Sequence, residues 1–241
     1  MGRARGEVLI GIGPALAIAR LCVREACARP FLPAVAAVLA AFILALPRLV
    51  LFGFGEEARI AQAMGLSTLR MAGLLLALVF VAGAGEPRAS RALLLARPVR
   101  PTALVIGRTL GALVLLFALI ASLSVALAVA LKGLPWEAAV RAALEGAALL
   151  PLAAAAAEAL PAGAAAIATF LAFAAGHVGL GGPLRALFPD LAAIGPLAPA
   201  GRALPLGAAA ALAALSGLAW LSLAAAISEL REPGAVGAAP S

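Results

Sequence analysis

The stretch TLGALVLLFALIASLSVALAVAL, Thr109–Leu131, carries no charged residue from end to end. Crossing roughly 30 Å of hydrocarbon takes about 20 apolar residues in a helix, and a helix that is apolar on every face has no solvated side to show to water. This stretch therefore belongs in a membrane. The rest of the 241-residue chain agrees: 65% of it is hydrophobic and 12% charged, against roughly a quarter charged in soluble domains.

Working outward, five further runs have the composition of membrane spans: Phe31 to Phe52, Leu66 to Ala84, Ala142 to Ala157, Ala162 to Leu180 and Leu206 to Ile227. The expected fold is all-α, a polytopic membrane protein of six transmembrane helices. Its organisation reads as an N-terminal segment 1–30, a helical body 31–230 and a short tail 231–241. The absence of tyrosine, the single lysine (Lys132) and the wealth of alanine follow codon usage more than function.

Residues Val8 to Ala19, after Arg3 and Arg5, have the length of a signal-peptide core, but Gly11, Gly13 and Pro14 weaken it. On a helical wheel Ile12, Leu16, Ala19, Val23 and Ala26 share one arc, and Arg20, Arg24, Glu25 and Arg29 the other. That pattern predicts an amphipathic helix on the membrane surface, its arginines toward anionic lipid headgroups. Pro30 and Pro33 mark the turn into the first span.

The net charge of +7 would suggest nucleic acid in a soluble protein; in a polytopic one, basic residues set orientation. With the N-terminus inside, eleven of the eighteen basic residues are cytoplasmic and the others scatter over three outer loops. The expected location is the cytoplasmic membrane, with both termini cytoplasmic. Cys22 and Cys27 have neither the spacing nor the neighbours of a zinc or redox pair.

The second and third spans are joined by GEPRASRALLLARPVRPTALVIGR, Gly85–Arg108, the densest basic segment of the chain. It contains no aromatic residue, so the stacking platform of a nucleic-acid site is missing and no nucleic-acid partner is expected. Arg88 to Ala96 can form two helical turns with Leu93, Leu94 and Leu95 beside Arg91, followed by a stiff link through Arg97, Pro98, Val99, Arg100 and Pro101. Two readings follow: a topology signal or a docking helix.

These residues resemble the permease subunits of ABC-2 type ATP-binding-cassette transporters. The similarity rests on Gly83 and Gly85, Glu86, Arg88 and Arg91, Leu93 to Leu95, Pro98-Val99-Arg100, and Gly107-Arg108. It extends to LRALFPDLAAIGP (Leu184–Pro196), with Pro189 and Asp190 in the position of the family's external segment, to Arg24-Glu25, and to the closing run Ser228 to Glu232. Ala89-Ser90 replace the Gly-Thr pair of many members, and Pro87 interrupts the helix start. The resemblance implies that 85–101 is a coupling helix seated in a cleft of a separate ABC ATPase, with Glu86, Arg88, Arg91, Leu93, Leu94, Leu95, Arg97, Pro98 and Arg100 at the contact. It further implies an external re-entrant segment at 181–205 and a second permease copy, the same chain or a related one. ATP and Mg would sit on the partner, since this chain has no GxxxxGK[ST] phosphate loop. No catalytic residue, cofactor or metal is expected here.

The acids Glu145 and Glu158 and the histidine His177 fall within or beside spans, where ionisable residues are candidates by default. Glu145 is expected to pair with Arg141 four residues earlier, and Glu158, before Pro161, to reach water at the opposite interface. His177, the only histidine, is expected to hydrogen-bond between helices. Two rival classes remain. An intramembrane hydrolase would draw its nucleophile from Ser122, Ser124, Ser216 or Ser222, and a secondary transporter would need broken helices or paired charges near the midplane. The topology is tested by a cysteine probe at Ala92, which should react with impermeant reagents only when the cytoplasmic side is opened; labelling in intact cells would invert the orientation.

Overall fold

The apolar runs fold as helices, and no strand occurs among the described residues. The computed structural model describes residues 2–28, 30–49, 56–84, 100–131, 136–178, 190–197 and 203–231. The helices are α1 (Gly2–Ala28), α2 (Phe31–Leu49), α3 (Glu57–Ala84), α4 (Pro101–Leu131), α5 (Trp136–Ala159), α6 (Ala162–Val178), α7 (Leu191–Ile194) and α8 (Leu206–Arg231).

Five of these, α2, α3, α4, α5 and α8, are long and apolar enough to cross a membrane. The sixth expected span, α6, is apolar but only 17 residues long, about 26 Å at 1.5 Å per residue. Large apolar side chains face outward all along the bundle, among them Val38, Val114, Val125, Ile167, Leu171, Leu215 and Leu218, while charged groups such as Glu145 and Glu158 are buried. A soluble protein distributes these groups the other way. The arrangement is that of a membrane-embedded helical bundle.

Helix ends differ from the apolar runs for a physical reason. Apolarity marks the hydrocarbon layer, whereas the hydrogen-bonded helix continues until a cap or a proline stops it. Thus α3 begins at Glu57, nine residues before the apolar run, with a polar first turn where Arg59 meets Glu56 at 3.5 Å. Likewise α4 begins at Pro101. There the Arg100 carbonyl accepts from the Ala103 and Leu104 amides at 3.0 and 3.3 Å, and Pro101 takes the first helical position, where a missing N–H costs nothing.

At the centre lies α5, the most enclosed of the long helices, packed against α3, α4, α6, α7 and α8. Its alanines and Gly146 let neighbours approach: Leu116 of α4 lies over Gly146, and Gly73 of α3 meets the Gly146 Cα. The outer helix α8 binds through a stripe of small residues, Ala209, Ala213, Gly217, Ala224 and Ser228. Gly217 rests on Pro151 and on the Ala147 carbonyl, which Pro151, lacking an N–H, leaves without its intrahelical donor.

The two ends of the bundle are fixed by cross-helix contacts. At one end Val105, Ala154, Ala155 and Ala224 pack with Phe80, and the Arg231 Nη2 donates to the Ala159 carbonyl at 2.7 Å. The ends of α3, α5 and α8 and the start of α4 therefore gather there. At the other, Leu46, Ala61 and Leu131 form a small cluster, and Arg141 of α5 reaches the Leu204 carbonyl just ahead of α8.

The N-terminal helix differs in detail from the surface helix expected. Arg20, Arg24 and Glu25 are exposed, but the buried stripe is Ala15, Ile18 and Ala19, and Leu16 is 49% exposed. The stripe is chosen by α4, whose Gly107 lies against Ala15 and Ile18 and whose Gly111 lies against Ala19 and Cys22. Both helices advance four residues between these contacts, so they run alongside each other over this turn, which a right-angle crossing would not produce. Small residues win this face because they permit backbone approach; the larger Leu16 and Leu21 are left outward.

A Cβ at position 107 would meet the Ala15 carbonyl oxygen at 2.6 Å, and a backbone atom cannot swing aside. Gly107→Ala should thus part α1 from α4 at a cost of about 1–3 kcal/mol. Cys22 reports it. Burial pushes the Cys22 thiol above its usual range, with Arg108 partly opposing, and Cys27 is exposed, so maleimide should modify Cys27 first. In Gly107→Ala the lag of Cys22 behind Cys27 should shrink roughly fivefold or more; an unchanged lag would show that α1 does not depend on this groove.

Candidate functional site

The Gly73–Gly146 crossing has an electrostatic consequence. Arg70 sits one turn before Gly73 and Glu145 immediately before Gly146, so the close approach of α3 and α5 brings guanidinium and carboxylate together. Arg70 Nε donates to Glu145 Oε1 at 3.3 Å and lies 3.2 Å from Oε2. The Glu145 side chain is 3% exposed and that of Arg70 16%.

From α6, His177 completes the group. Its Nε2 lies 3.0 Å from Glu145 Oε1, though without the alignment of a hydrogen bond. Its Nδ1 is 2.6 Å from the Phe173 carbonyl oxygen one turn back. A carbonyl can only accept, so Nδ1 carries the proton and the neutral ring presents a bare Nε2 to the carboxylate. The Phe173 ring packs on the imidazole with centroids 4.4 Å apart, which fixes the ring's position.

The fourth wall is the segment around α7. Asp190 caps this short helix, its carboxylate accepting from the Ala193 amide at 3.1 Å. Leu191, Ala193 and Ile194 are buried among α5, α6 and α8, and the Leu204 amide donates to the Ala193 carbonyl at 3.3 Å. Gly195 then passes directly over Glu145: a Cβ there would meet Oε2 at 2.5 Å. Glycine is required by this approach.

The expected Arg141–Glu145 pair does not form. Arg141 instead donates to Glu137, four residues before it, through Nε and Nη2 at 3.1 and 2.8 Å, and through Nη2 to the Leu204 carbonyl at 2.7 Å. A glutamate placed N-terminal to its basic partner is the better orientation at this spacing, and Glu145 is turned into the bundle toward Arg70. The interhelical hydrogen bond expected of His177 does not form either: its Nδ1 donates to the Phe173 carbonyl of its own helix, and Nε2 approaches Glu145 at 3.0 Å without hydrogen-bond alignment.

The expected place of Glu158 is also corrected. It is 6% exposed rather than open to water, and lines a small recess with Phe80, Val105, Arg108, Ala154 and Ala157. The Arg108 guanidinium stands 5.8 Å over the Phe80 ring, a cation–π distance.

Of the residues expected at the coupling segment, Glu86, Arg88, Arg91, Leu93, Leu94, Leu95, Arg97 and Pro98 lie outside the described residues; Arg100 is exposed at the head of α4. Arg29 and Pro189 are likewise outside them. Ser122 and Ser222 donate to carbonyls of their own helices on exposed faces. Among the described residues no group of three His, Cys, Asp or Glu side chains is placed to hold a metal ion. Compared with known protein families and with curated proteins, the chain matches none.

What sequence reasoning missed is Arg70 and the partnership of Glu145 with His177. The available signal was the opposite charges within two apolar runs, Arg70 in the second and Glu145 in the fourth, each beside a glycine that permits close packing.

Breaking such a pair on one side leaves a buried charge alone, which costs about 3–5 kcal/mol, whereas replacing both partners with apolar residues is often neutral. Glu145→Ala and Arg70→Met should each lower the unfolding midpoint sharply in detergent, while Arg70→Met combined with Glu145→Leu should recover most of the loss. Additive losses in the double variant would mean that the two residues act independently.

Proposed function

We propose that this chain is the permease subunit of an ABC-2 type exporter: six crossings of the cytoplasmic membrane with both termini cytoplasmic, and α1 an amphipathic helix packed along the start of α4 at the inner face. The subunit pairs with a second permease copy and moves its substrate with ATP hydrolysed, with Mg, on a separate ATPase.

The observation that carries this reading is the segment ahead of the last long helix. A four-residue helix capped by Asp190 is buried among α5, α6 and α8, the placement that the resemblance implies for an external segment dipping toward the membrane. It stands at the end of the bundle away from Ala84 and Arg100, the described residues that flank the basic segment, which supports a coupling helix on one side and a re-entrant segment on the other.

A second reading is favoured by the Arg70–Glu145–His177 group. Paired charges inside the bundle are what a secondary transporter uses, and such a protein would pass protons in proteoliposomes with no ATPase present.

The coupling reading is tested at the basic segment. If it docks in an ATPase cleft, Leu93, Leu94 and Leu95 supply apolar contact worth roughly 1.5–3 kcal/mol each when fully buried, and the arginines pair at a wetter rim. The triple alanine variant should insert and fold normally yet lose copurification with a phosphate-loop ATPase expressed beside it. Undiminished ATPase capture would leave the segment a topology signal only.

A further inference from the structure

We propose that Glu145 and His177 form a binding site for a single exchangeable proton, and that its occupancy holds the Asp190–Leu197 segment in the bundle. The inference goes beyond the transport reading and is independent of which transport class applies.

The geometry is one proton short. Because His177 Nδ1 is committed to the Phe173 carbonyl at 2.6 Å, Nε2 of the neutral ring is an acceptor, and it stands 3.0 Å from Glu145 Oε1. The two acceptors crowd each other at that distance without the alignment of a hydrogen bond, and both His177 Nε2 and Glu145 Oε2 are buried atoms without a hydrogen-bond partner among the described residues. One proton, placed on Nε2 or on the carboxylate, together with a small turn of the carboxylate toward the ring, makes this crowded contact a hydrogen bond.

The surrounding charges make that proton exchangeable. Arg70 of α3 faces Glu145 from the other side at 3.2 Å; its guanidinium already balances the carboxylate and opposes an added positive charge. On α5 itself, Arg141 one turn away is engaged by Glu137 and the Leu204 carbonyl. From the α7 segment the nearest charged residue is Asp190, which caps that helix. The site is thus neutral when empty and carries one positive charge when filled.

Movement follows from Gly195. Its backbone is pressed against Glu145 Oε2 so closely that a Cβ would come within 2.5 Å. With the proton in place, His177 draws the carboxylate toward α6 and leaves room for Gly195. Without it, Nε2 repels Oε1 and the carboxylate turns toward Gly195, displacing the segment that follows α7. Protonation therefore closes and deprotonation loosens this end of the bundle.

The test uses the full chain in nanodiscs with Cys22 and Cys27 replaced by serine and a cysteine at Ala193, which is 5% exposed. The labelling rate at each pH is expressed relative to the unfolded protein at that pH, which removes the titration of the thiol itself. The rate should rise roughly tenfold on going from acid to alkaline conditions, the order expected for one unmatched buried hydrogen bond. Glu145→Gln, whose amide supplies a permanent hydrogen to Nε2, should label slowly at every pH, and His177→Gln should lose the pH dependence while keeping its helical content. Infrared difference spectra should show a carboxyl or imidazolium band titrating with the same midpoint and vanishing in both variants. A flat profile in the parent protein, as a bridging water serving both acceptors would give, overturns the proposal. So does a pH response that survives in Glu145→Gln.

Discussion

A carboxylate on the most enclosed helix is the constraint around which the bundle is arranged. Glu145 cannot be solvated where α5 runs, and a buried charge is tolerated only when paired and hydrogen-bonded. Its counter-charge comes from α3 and its remaining neighbour from α6, so the rotation of both helices about their axes is specified by one side chain. The glycines follow from the same demand. Gly73 and Gly146 bring α3 close enough for Arg70 to reach, and Gly195 lets the α7 segment cross the carboxylate without striking it.

The membrane-embedded, all-helical character was legible in the sequence because hydrocarbon thickness imposes a length on apolar runs, and the centres of α2, α3, α4, α5 and α8 fall where those runs lie. The helix ends were not, since Glu57 and Pro101 begin helices that project beyond the apolar layer. Partner choice was legible only in part. Arg141 has a glutamate four residues before it and another four residues after it, and spacing alone admits both; burial of Glu145 against α3 decides between them. In α1 the wheel put Leu16 and Ala19 on one apolar arc without saying which of them a neighbouring helix would take, and the groove made by Gly107 and Gly111 selects Ala15 and Ala19. A hydrophobic face measures affinity for an apolar medium, and in a membrane protein lipid satisfies it as well as a neighbouring helix does.

Charge inside the bundle is gathered at two stations. Arg141, Glu145, Arg70 and His177 stand toward the end closed by α7, and Glu158 and Arg108, with the exposed Arg231 at their margin, toward the end where α4 begins. Both stations include residues of α5, with Glu145 and Glu158 about 20 Å apart along its axis and Pro151 between them. A proline inside a helix removes one rung of the hydrogen-bond ladder. The helix that joins the two stations is therefore softest midway.

The seam between α5 and α8 has a consequence for mobility. Ala209, Ala213, Gly217 and Ala224 have no side-chain rotamers to freeze, and Ser228 is small, so holding α8 in place costs almost no side-chain entropy. For the same reason the stripe itself does not interlock, and only Leu212, Trp220 and Leu221 beside it pack as larger side chains. Long side chains meshed across a seam must withdraw before one helix can slip past another, but Ala209, Ala213 and Gly217, spaced four apart, meet a similar small residue again one helical turn along. This helix is thus built like a rack whose teeth are low, and a change of register by one turn, about 5.4 Å, would turn on releasing only Leu212, Trp220, Leu221 and the Arg231 hydrogen bond to the Ala159 carbonyl.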